Sequence, residues 1–323
     1  MRSNRFVIIG LCLIALVLPI FLKNILFLTI LVMCCYYAYL ALCWNLVGGF
    51  AGVVSLAHGI FYGLGAYITV CLFVFWGVTP WVGMICGAIV AAIAAFLIGS
   101  LLFNFRLKGF FFIVVTLAMT QIFQEIAKQL KFLGASDGMP LPAKIGWKYF
   151  QFRGKVEYYY IILFLLFIVI GISFLIRRSR MGYNLFAIRE DEDAAEASGV
   201  DTKRNKILIL TLSAFLTALG GAFYVQFTFF VDPEIAFSTA LNITLVLAVV
   251  IGGIGTIQGP ILGGFFYVLL SELLRFLPMQ SQLVAALAKV TYAFVVMLVM
   301  IYSPRGIFGL GVFKRLIKAT SRQ

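Results

Sequence analysis

The sequence predicts an all-α, polytopic membrane protein with about ten transmembrane helices, and three observations support this fold class. The chain of 323 residues is 63% hydrophobic and only 11% charged, and its mean hydropathy is +1.09. Soluble domains are nearer half apolar and a quarter charged. The apolar runs are continuous over roughly 20 residues, the length that a helix needs to cross about 30 Å of hydrocarbon. Strands of a transmembrane barrel would instead alternate in polarity over about 10 residues.

Apolar segments that fit a membrane span recur along the chain. They cover residues 6–22, 25–47, 58–76, 81–103, 109–130, 158–177, 206–227, 236–257, 260–275 and 282–302. The first resembles a signal peptide, but its apolar run is long and no A-x-A cleavage site follows, so we interpret it as a span. The segment at 260–275 is short, and a tilted or re-entrant helix fits it as well as a full crossing. We treat residues 1–323 as one transmembrane domain.

The distribution of charge predicts the orientation of the loops. The net charge is +13, and because basic residues of membrane proteins collect on the cytoplasmic side, this charge does not indicate nucleic-acid binding. If both termini are cytoplasmic, about twice as many Lys and Arg side chains lie inside as outside. This orientation places a periplasmic loop at 131–157, and it places a loop at 178–204 and a tail at 303–323 in the cytoplasm.

Cysteine and histidine are too few and too scattered to suggest a metal site. The six cysteines lie in or beside apolar runs without a C-x-x-C pair, and His58 is the only histidine. Metal centres draw on such residues at close spacing, so we predict neither a metal nor a cofactor in this chain. An enzyme embedded in the membrane would need a cluster of reactive groups, and this sequence shows only scattered acids.

Two glycine-rich segments interrupt the apolar runs. They lie at 48–65 and at 252–264, and each pairs a Gly-Gly with a later G-x-x-x-G. Matching breaks in two halves of a chain are typical of transporter repeats, but small residues also let helices approach closely. Both interpretations stay open at this point, and Gly252 and Gly253 are candidates for a solute pathway.

Polar side chains inside the predicted spans are further pathway candidates, because such groups face a protein interior or a cavity. The candidates are Asn45, Ser55, His58, Gln121, Glu125 and Asn242. Each also has a plainer interpretation. Glu125 fits an interhelical hydrogen bond, His58 fits a packed histidine bonded to backbone, and the remaining groups fit polar links between helices.

A strongly charged loop follows the sixth span and carries six of the twelve acidic residues, between Glu190 and Asp201. Such a loop cannot lie inside the bilayer. We predict a short helix from Asp191 to Ser198, because acids in its first turn complement the helix dipole and Gly199 suits the left-handed position after the cap. Its alanines leave the helix slim enough to enter a groove on a partner. A solvated loop without a partner fits the charges equally well.

The same loop resembles a known motif. Asp193-Ala194-Ala195-x-x-x-Gly199 is similar to the E-A-A-x-x-x-G loop of ABC importer permeases, with Asp in place of Glu. Further segments resemble the LivM-type permeases of branched-chain amino-acid importers, in the same order along the chain. They are Ser55-Leu56-Ala57-His58-Gly59, in which the family often has Gly in place of Ala57, Ser136-Asp137-Gly138, Gly252-Gly253-x-Gly255-x-x-x-Gly259-Pro260 and Ser303-Pro304-Arg305-Gly306. The resemblance covers nearly the whole chain.

The resemblance implies the fold of an ABC importer permease in the bacterial cytoplasmic (inner) membrane, together with a set of partners. Two ABC ATPase subunits would bind the loop at 178–204, and a second, LivH-type permease subunit would complete a dimer surrounded by membrane lipid. A periplasmic or lipid-anchored binding protein would deliver the amino acid. The sequence has no G-x-x-x-x-G-K-[ST] phosphate loop, so the partners would bind ATP and this chain would not itself be an enzyme. The residues implied in coupling are Arg189, Glu190, Asp191, Glu192, Asp193, Ala194, Ala195, Glu196 and Gly199.

The implied function is inward transport of branched-chain or related hydrophobic amino acids by alternating access. Related permeases are associated with other small solutes, so a permease for urea, an amide or a sugar is the nearest alternative. A secondary transporter or channel would need no ATPase, and a membrane-embedded enzyme is the least favoured class. Stoichiometric ATPase subunits in the purified complex would favour the importer, whereas uptake driven by protons or sodium would favour the secondary transporter.

Overall fold

The computed structural model describes residues 15–19 and 24–275, together with six single positions between 287 and 298. The predicted spans at 6–22 and 282–302 therefore lie largely outside the described residues, and the tail at 303–323 lies wholly outside them.

Helices make up most of the described chain. They are α1 (Ile25–Asn45), α2 (His58–Trp76), α3 (Pro80–Asn104), α4 (Gly109–Gln129), α5 (Val156–Arg178), α6 (Arg180–Glu190), α7 (Glu192–Ala197), α8 (Thr202–Thr228), α9 (Pro233–Ala236), α10 (Thr239–Gly252) and α11 (Gln258–Arg275). Two short strands, β1 (Met139–Pro140) and β2 (Phe230–Val231), pair with each other. The predicted all-α fold class is confirmed.

Seven helical segments in the described part of the chain are long and apolar enough to cross a membrane. They are Ile25–Phe50, His58–Trp76, Pro80–Asn104, Gly109–Gln129, Val156–Arg178, Thr202–Thr228 and Pro233–Gly252. The 18-residue helix α11, which covers the short predicted span at 260–275, is not among the seven. A polytopic membrane protein is thus confirmed, while the total of ten crossings stays a prediction.

The chain divides into two compact units, which we describe separately. The larger unit comprises residues 42–153 and 168–246, and the other comprises residues 1–41, 154–167 and 247–323.

Small residues allow α2, α3 and α8 of the larger unit to pack closely. A Cβ added at Gly65 of α2 would lie 2.1 Å from Ala218 O of α8, and a Cβ at Gly221 would lie 2.1 Å from Tyr62 O. A Cβ at Gly87 of α3 would come within 3.0 Å of Gly65 O. Glycine at these positions therefore brings helix backbones into contact, which supports the close-packing interpretation of the first glycine-rich segment.

Glycines also bring helix backbones into contact in the other unit. A Cβ at Gly263 would lie 1.8 Å from Ala248 O, so α10 and α11 approach each other closely.

One predicted helix boundary in this unit is wrong. We predicted that the span would run to residue 257, but α10 ends at Gly252. Gly253 (φ +126°) and Gly255 (φ +76°) take up backbone conformations that few other residues adopt, and these end the helix.

The predicted periplasmic loop contains structure that the sequence did not reveal. Met139 of β1 lies opposite Val231 of β2 in an antiparallel pair, and Leu141 N–H donates to Phe229 O at 2.9 Å. Gly138 (φ +74°) fits beside this pair, since a Cβ there would lie 2.5 Å from Val231 O. Two-residue strands are too short for alternation to be recognised in the sequence.

Candidate functional site

The charged loop folds into two short helices, and the sequence predicted only the second. Ser179 begins α6, where its Oγ accepts a hydrogen bond from Gly182 N–H at 3.3 Å. The chain turns sharply at this point. The Gly182 backbone lies so close to the end of α5 that an added Cβ would be 2.1 Å from Ile176 O. Serine is a preferred residue at the N-cap of a helix, and Ser179 was the available signal for the start of α6.

The predicted short helix is confirmed as α7, with both of its ends defined by single residues. Asp191 caps it, and its Oδ1 accepts from the backbone N–H groups of Asp193 and Ala194, both at 3.0 Å. At the other end Gly199 has a left-handed φ of +85°, as its position after the cap requires.

Basic side chains from neighbouring segments of the larger unit hold α7 in place. The most buried contact joins Lys206 Nζ of α8 to Glu192 Oε1 at 2.6 Å, with only 7% of the Lys206 side chain exposed. Lys108, in the turn between α3 and α4, bonds Asp193 Oδ1 at 2.6 Å and lies 3.9 Å from Glu192 Oε2. Arg106, in the same turn, pairs with Glu196 at 3.4 Å. The helix is therefore attached to the α3–α4 turn as well as to α8.

The ion pair at Asp193 is formed by groups that are charged at neutral pH. The hydrogen bond from Lys108 lowers the pKa of the Asp193 carboxyl, and the same hydrogen bond raises the pKa of the Lys108 ammonium. Each group therefore favours its charged form in this arrangement.

The three alanines of α7 do not all face outward. Ala195 is buried at 5% exposure against its own chain, whereas Ala194 and Ala197 are exposed. Glu190, at the end of α6, is exposed as well. The surface available to another molecule is thus formed by the Ala194 and Ala197 side of the helix.

Arg189 connects the charged loop to the first glycine-rich segment. Its Nη1 donates to Gly49 O at 2.8 Å. Gly49 lies in a single π-helical turn, Leu46–Phe50, that ends the membrane span Ile25–Phe50. An open cavity of about 140 Å³ adjoins this contact, and its lining includes Gly52 and Val54 from the break and Lys108 from the α3–α4 turn.

The chain forms no regular secondary structure between the π-turn and α2, and side chains from two other helices hold it at Leu56. Leu56 O accepts from Thr120 Oγ1 of α4 at 2.7 Å and from Asn242 Nδ2 of α10 at 2.6 Å. Leu56 N–H donates to Thr116 Oγ1 at 3.1 Å. Asn242 Oδ1 in turn accepts from Gly59 N–H at 2.7 Å. The backbone groups of Leu56 and Gly59 that have no partner within a helix are thereby bonded to side chains.

His58 and Ser55 complete this buried polar segment. The His58 Nε2 and Ser213 Oγ atoms lie 2.9 Å apart, and Ser213 Oγ donates to Cys43 O at 2.6 Å. Ser55 O accepts from Trp44 Nε1 at 2.8 Å. His58 is fully buried, so the packed-histidine interpretation describes its surroundings, although its partner is a hydroxyl.

The eight pathway candidates fall into three groups. Asn45, Ser55, His58 and Asn242 are all buried and lie at or beside the break. Gln121 and Glu125 are exposed on α4, and Glu125 pairs with Lys128 on the same helix at 3.0 Å. Gly252 and Gly253 belong to the other unit. The site residues that the sequence did not single out are Lys108, Thr116, Thr120, Lys206 and Ser213.

The fold and this site define a class: a multi-pass α-helical membrane protein in which buried polar side chains from other helices bind the segment between two membrane helices. The chain belongs to the family described as the permease component of branched-chain amino acid transport systems, whose model matches residues 26–303. The resemblance that the sequence motifs indicated is confirmed.

Curated relatives agree with this assignment. The chain is 30% identical over 264 residues to the high-affinity branched-chain amino acid transport system permease protein LivM of Escherichia coli (strain K12), a match that covers 74% of this chain and 61% of LivM. It is 25% identical over 245 residues to the LivH permease protein of Salmonella typhimurium, covering 71% of this chain and 78% of LivH. It is 28% identical over 236 residues to the fructose import permease protein FrcC of Rhizobium meliloti, covering 69% and 64%.

The matched region spans about three fifths of the length of the LivM relatives, at 61% of each. No solved structure gave a significant match to this chain.

Proposed function

We propose that this chain is the membrane permease subunit of an ATP-driven importer that carries branched-chain or related hydrophobic amino acids into the cell. The observation that carries the proposal is α7. It is a preformed helix with an exposed face, and ion pairs attach it to α8 and to the α3–α4 turn. The ion pair between Glu192 and the largely buried Lys206 fixes the helix at a defined position, as an element that receives movement from a partner requires.

The proposed partners are those that the family resemblance implies, and the sequence shows no ATP-binding motif of its own. Two ABC ATPase subunits would bind the exposed side of α7 in the cytoplasm, and a LivH-type permease would complete the membrane dimer. A periplasmic or lipid-anchored binding protein would supply the amino acid from outside. In this arrangement the chain lies in the bacterial inner membrane with both termini cytoplasmic.

The proposed mechanism is alternating access. ATP binding closes the ATPase pair and displaces α6 and α7, and these helices move the adjoining spans so that the solute pathway opens toward the binding protein. Hydrolysis resets the arrangement. The segment at residues 51–58 is the proposed pathway element, because side chains of α4 and α10 bind its backbone at Leu56 and its residues Gly52 and Val54 line a cavity.

Reconstitution tests this function directly. The chain, co-expressed with the candidate permease, ATPase and binding-protein partners, should purify with two ATPase subunits per permease pair. In proteoliposomes it should accumulate labelled leucine only when ATP and the binding protein are both present. An ATPase variant that binds but does not hydrolyse ATP is the matched control and should give no accumulation. Uptake driven by a proton or sodium gradient in this chain alone would contradict the proposal.

A sugar is the second candidate substrate, and the similarity to the fructose import permease FrcC favours it. The two candidates differ in what the partner protein binds. Calorimetric titration of the binding protein with leucine and with fructose separates them, and we expect heat of binding with leucine only.

A further inference from the structure

We propose that Arg189 is a positioning residue that transmits movement of the charged loop to the first helix break, through the backbone of residues 49–52. The inference rests on the proposed function, because it concerns how a displacement caused by an ATPase reaches the membrane. A displacement of the charged loop can pass along the chain itself into the adjoining helices α5 and α8. The contact of Arg189 adds a second route.

Arg189 completes the end of the membrane span Ile25–Phe50. That helix passes into the π-turn Leu46–Phe50, and Ala51 N–H turns back to Val47 O at 3.2 Å. Among the described residues no backbone N–H bonds to Gly49 O, which is one of the carbonyls that a helix end leaves over. The Arg189 guanidinium takes this place at 2.8 Å. Its positive charge also complements the negative end of the helix dipole.

Gly52 shows how closely the two backbones meet. A Cβ at this position would lie 2.9 Å from Arg189 Cγ and 3.3 Å from Arg189 Cα. Gly52 also has a φ of +71°, which disfavours other residues. Gly52 therefore has no side chain to separate its backbone from Arg189, and a displacement of Arg189 acts directly on the segment.

The break is positioned to pass such a displacement onward. Beyond Gly52 the chain is bonded to α4 and α10 at Leu56, and to α8 at His58. The backbone of residues 53–55 joins these bonds to the Arg189 contact. A contiguous set of contacts makes coupling physically possible, and measured coupling is what establishes it.

The complete reconstituted complex is used to test the inference. We expect the complex with Arg189→Gln to assemble and to hydrolyse ATP, but to take up about tenfold less leucine per ATP. The loss of one hydrogen bond from a charged group is large enough for a change of this size. Arg189→Lys keeps the charge and one donor, and should recover most of the uptake per ATP. Gly52→Ala displaces Arg189 without removing its charge, and should uncouple hydrolysis from uptake as Arg189→Gln does.

A spectroscopic probe separates transmission from stability. Trifluoromethyl-phenylalanine in place of Val54, a partly exposed residue beside the contact, should show a ¹⁹F shift when ATP binds to the complex. The same probe in Arg189→Gln should show no such shift although ATP still binds. Arg180→Gln is the matched control, because it removes the same charge from α6 at a side chain that forms no ion pair among the described residues.

The outcomes distinguish this inference from the proposed function. Uptake per ATP in Arg189→Gln equal to that of the wild-type complex would overturn the inference alone. Equal uncoupling by Arg180→Gln would overturn it as well, since loss of charge and not the contact with Gly49 would then be responsible. Failure of any ATPase to bind the wild-type permease would instead overturn the proposed function.

Discussion

Asp191 shows how one residue can decide whether the charged loop has a defined shape. It ends α6 and caps α7, and its carboxylate accepts from the backbone of Asp193 and Ala194. The helix that it caps has only six residues, so propensity alone would not keep it formed. Its position depends on this cap and on the ion pairs around it.

Replacement of Asp191 by alanine should therefore loosen α7. The loss of a cap costs about 1 kcal/mol of helix stability, and we expect faster cleavage of the loop by a protease added to inside-out vesicles. Asp191→Asn is the matched control, because asparagine caps equally well, and it should be cleaved at the wild-type rate. Equal cleavage of the alanine and asparagine variants would show that the cap does not hold the helix.

Glu192 and Asp193 differ in burial although they are neighbours. Glu192→Ala leaves the buried Lys206 ammonium without its partner, and the cost of breaking such a pair is about 3 kcal/mol. We expect a clear fall in the midpoint of thermal denaturation of the purified chain. Asp193→Ala removes an exposed ion pair and should leave the midpoint nearly unchanged. The double change Glu192→Ala with Lys206→Met should recover much of the loss, and a midpoint as low as that of Glu192→Ala alone would refute this account.

At the scale of elements, glycine contacts set the distance between helices. The α2 and α8 backbones meet at Gly65 and Ala218, and those of α10 and α11 meet at Gly263 and Ala248. In lipid the hydrophobic effect does not drive helices together, so close backbone approach and packing have a larger share in their association.

Gly65→Ala should be strongly destabilising, because its Cβ would lie 2.1 Å from Ala218 O. Overpacking of this kind costs about 1–3 kcal/mol and forces the helices apart. Gly171→Ala is the matched control, since a Cβ there meets nothing within 4 Å, and better helix propensity should make it neutral or slightly stabilising. Thermal denaturation of the two purified variants checks this, and equal midpoints would contradict it.

Sequence reasoning predicted the elements that carry a local signal. The helix α7 and the left-handed Gly199 followed from acids, alanines and a glycine in the right order, and the long spans followed from apolar length. It missed what depends on contacts distant along the chain. The bond from Arg189 to Gly49 joins residues 140 positions apart, and the pairing of Met139 with Val231 joins two strands too short to show a pattern.

For the break, the sequence indicated the location but not the contacts. Ser55, His58 and Asn242 were recognised as polar groups in apolar surroundings, and all three are buried at this segment. Thr116 and Thr120 were not singled out, because threonine in a membrane helix commonly bonds to its own helix backbone. Both also do so here, and their further bonds to Leu56 depend on how α4 packs.

At the scale of the whole molecule, the orientation is a prediction from charge that can be tested by labelling. We expect a cysteine in place of Ser198 to react with a membrane-impermeant maleimide only in inside-out vesicles. A cysteine in place of Lys148, in the loop at 131–157, should react only in intact spheroplasts, because that loop is predicted to be periplasmic. The reverse pattern would place the charged loop outside and would remove the basis for the proposed role.

The most direct test of the account is to identify what contacts the exposed side of α7 in the assembled transporter. A photo-cross-linking amino acid in place of Ala197 should form an adduct with an ATPase subunit, and the yield should change when ATP is bound. The same amino acid in place of Lys148 should form no such adduct. An ATPase that purifies with the complex but never cross-links at Ala197, with or without ATP, would contradict the claim that this helix receives the movement of the ATPase.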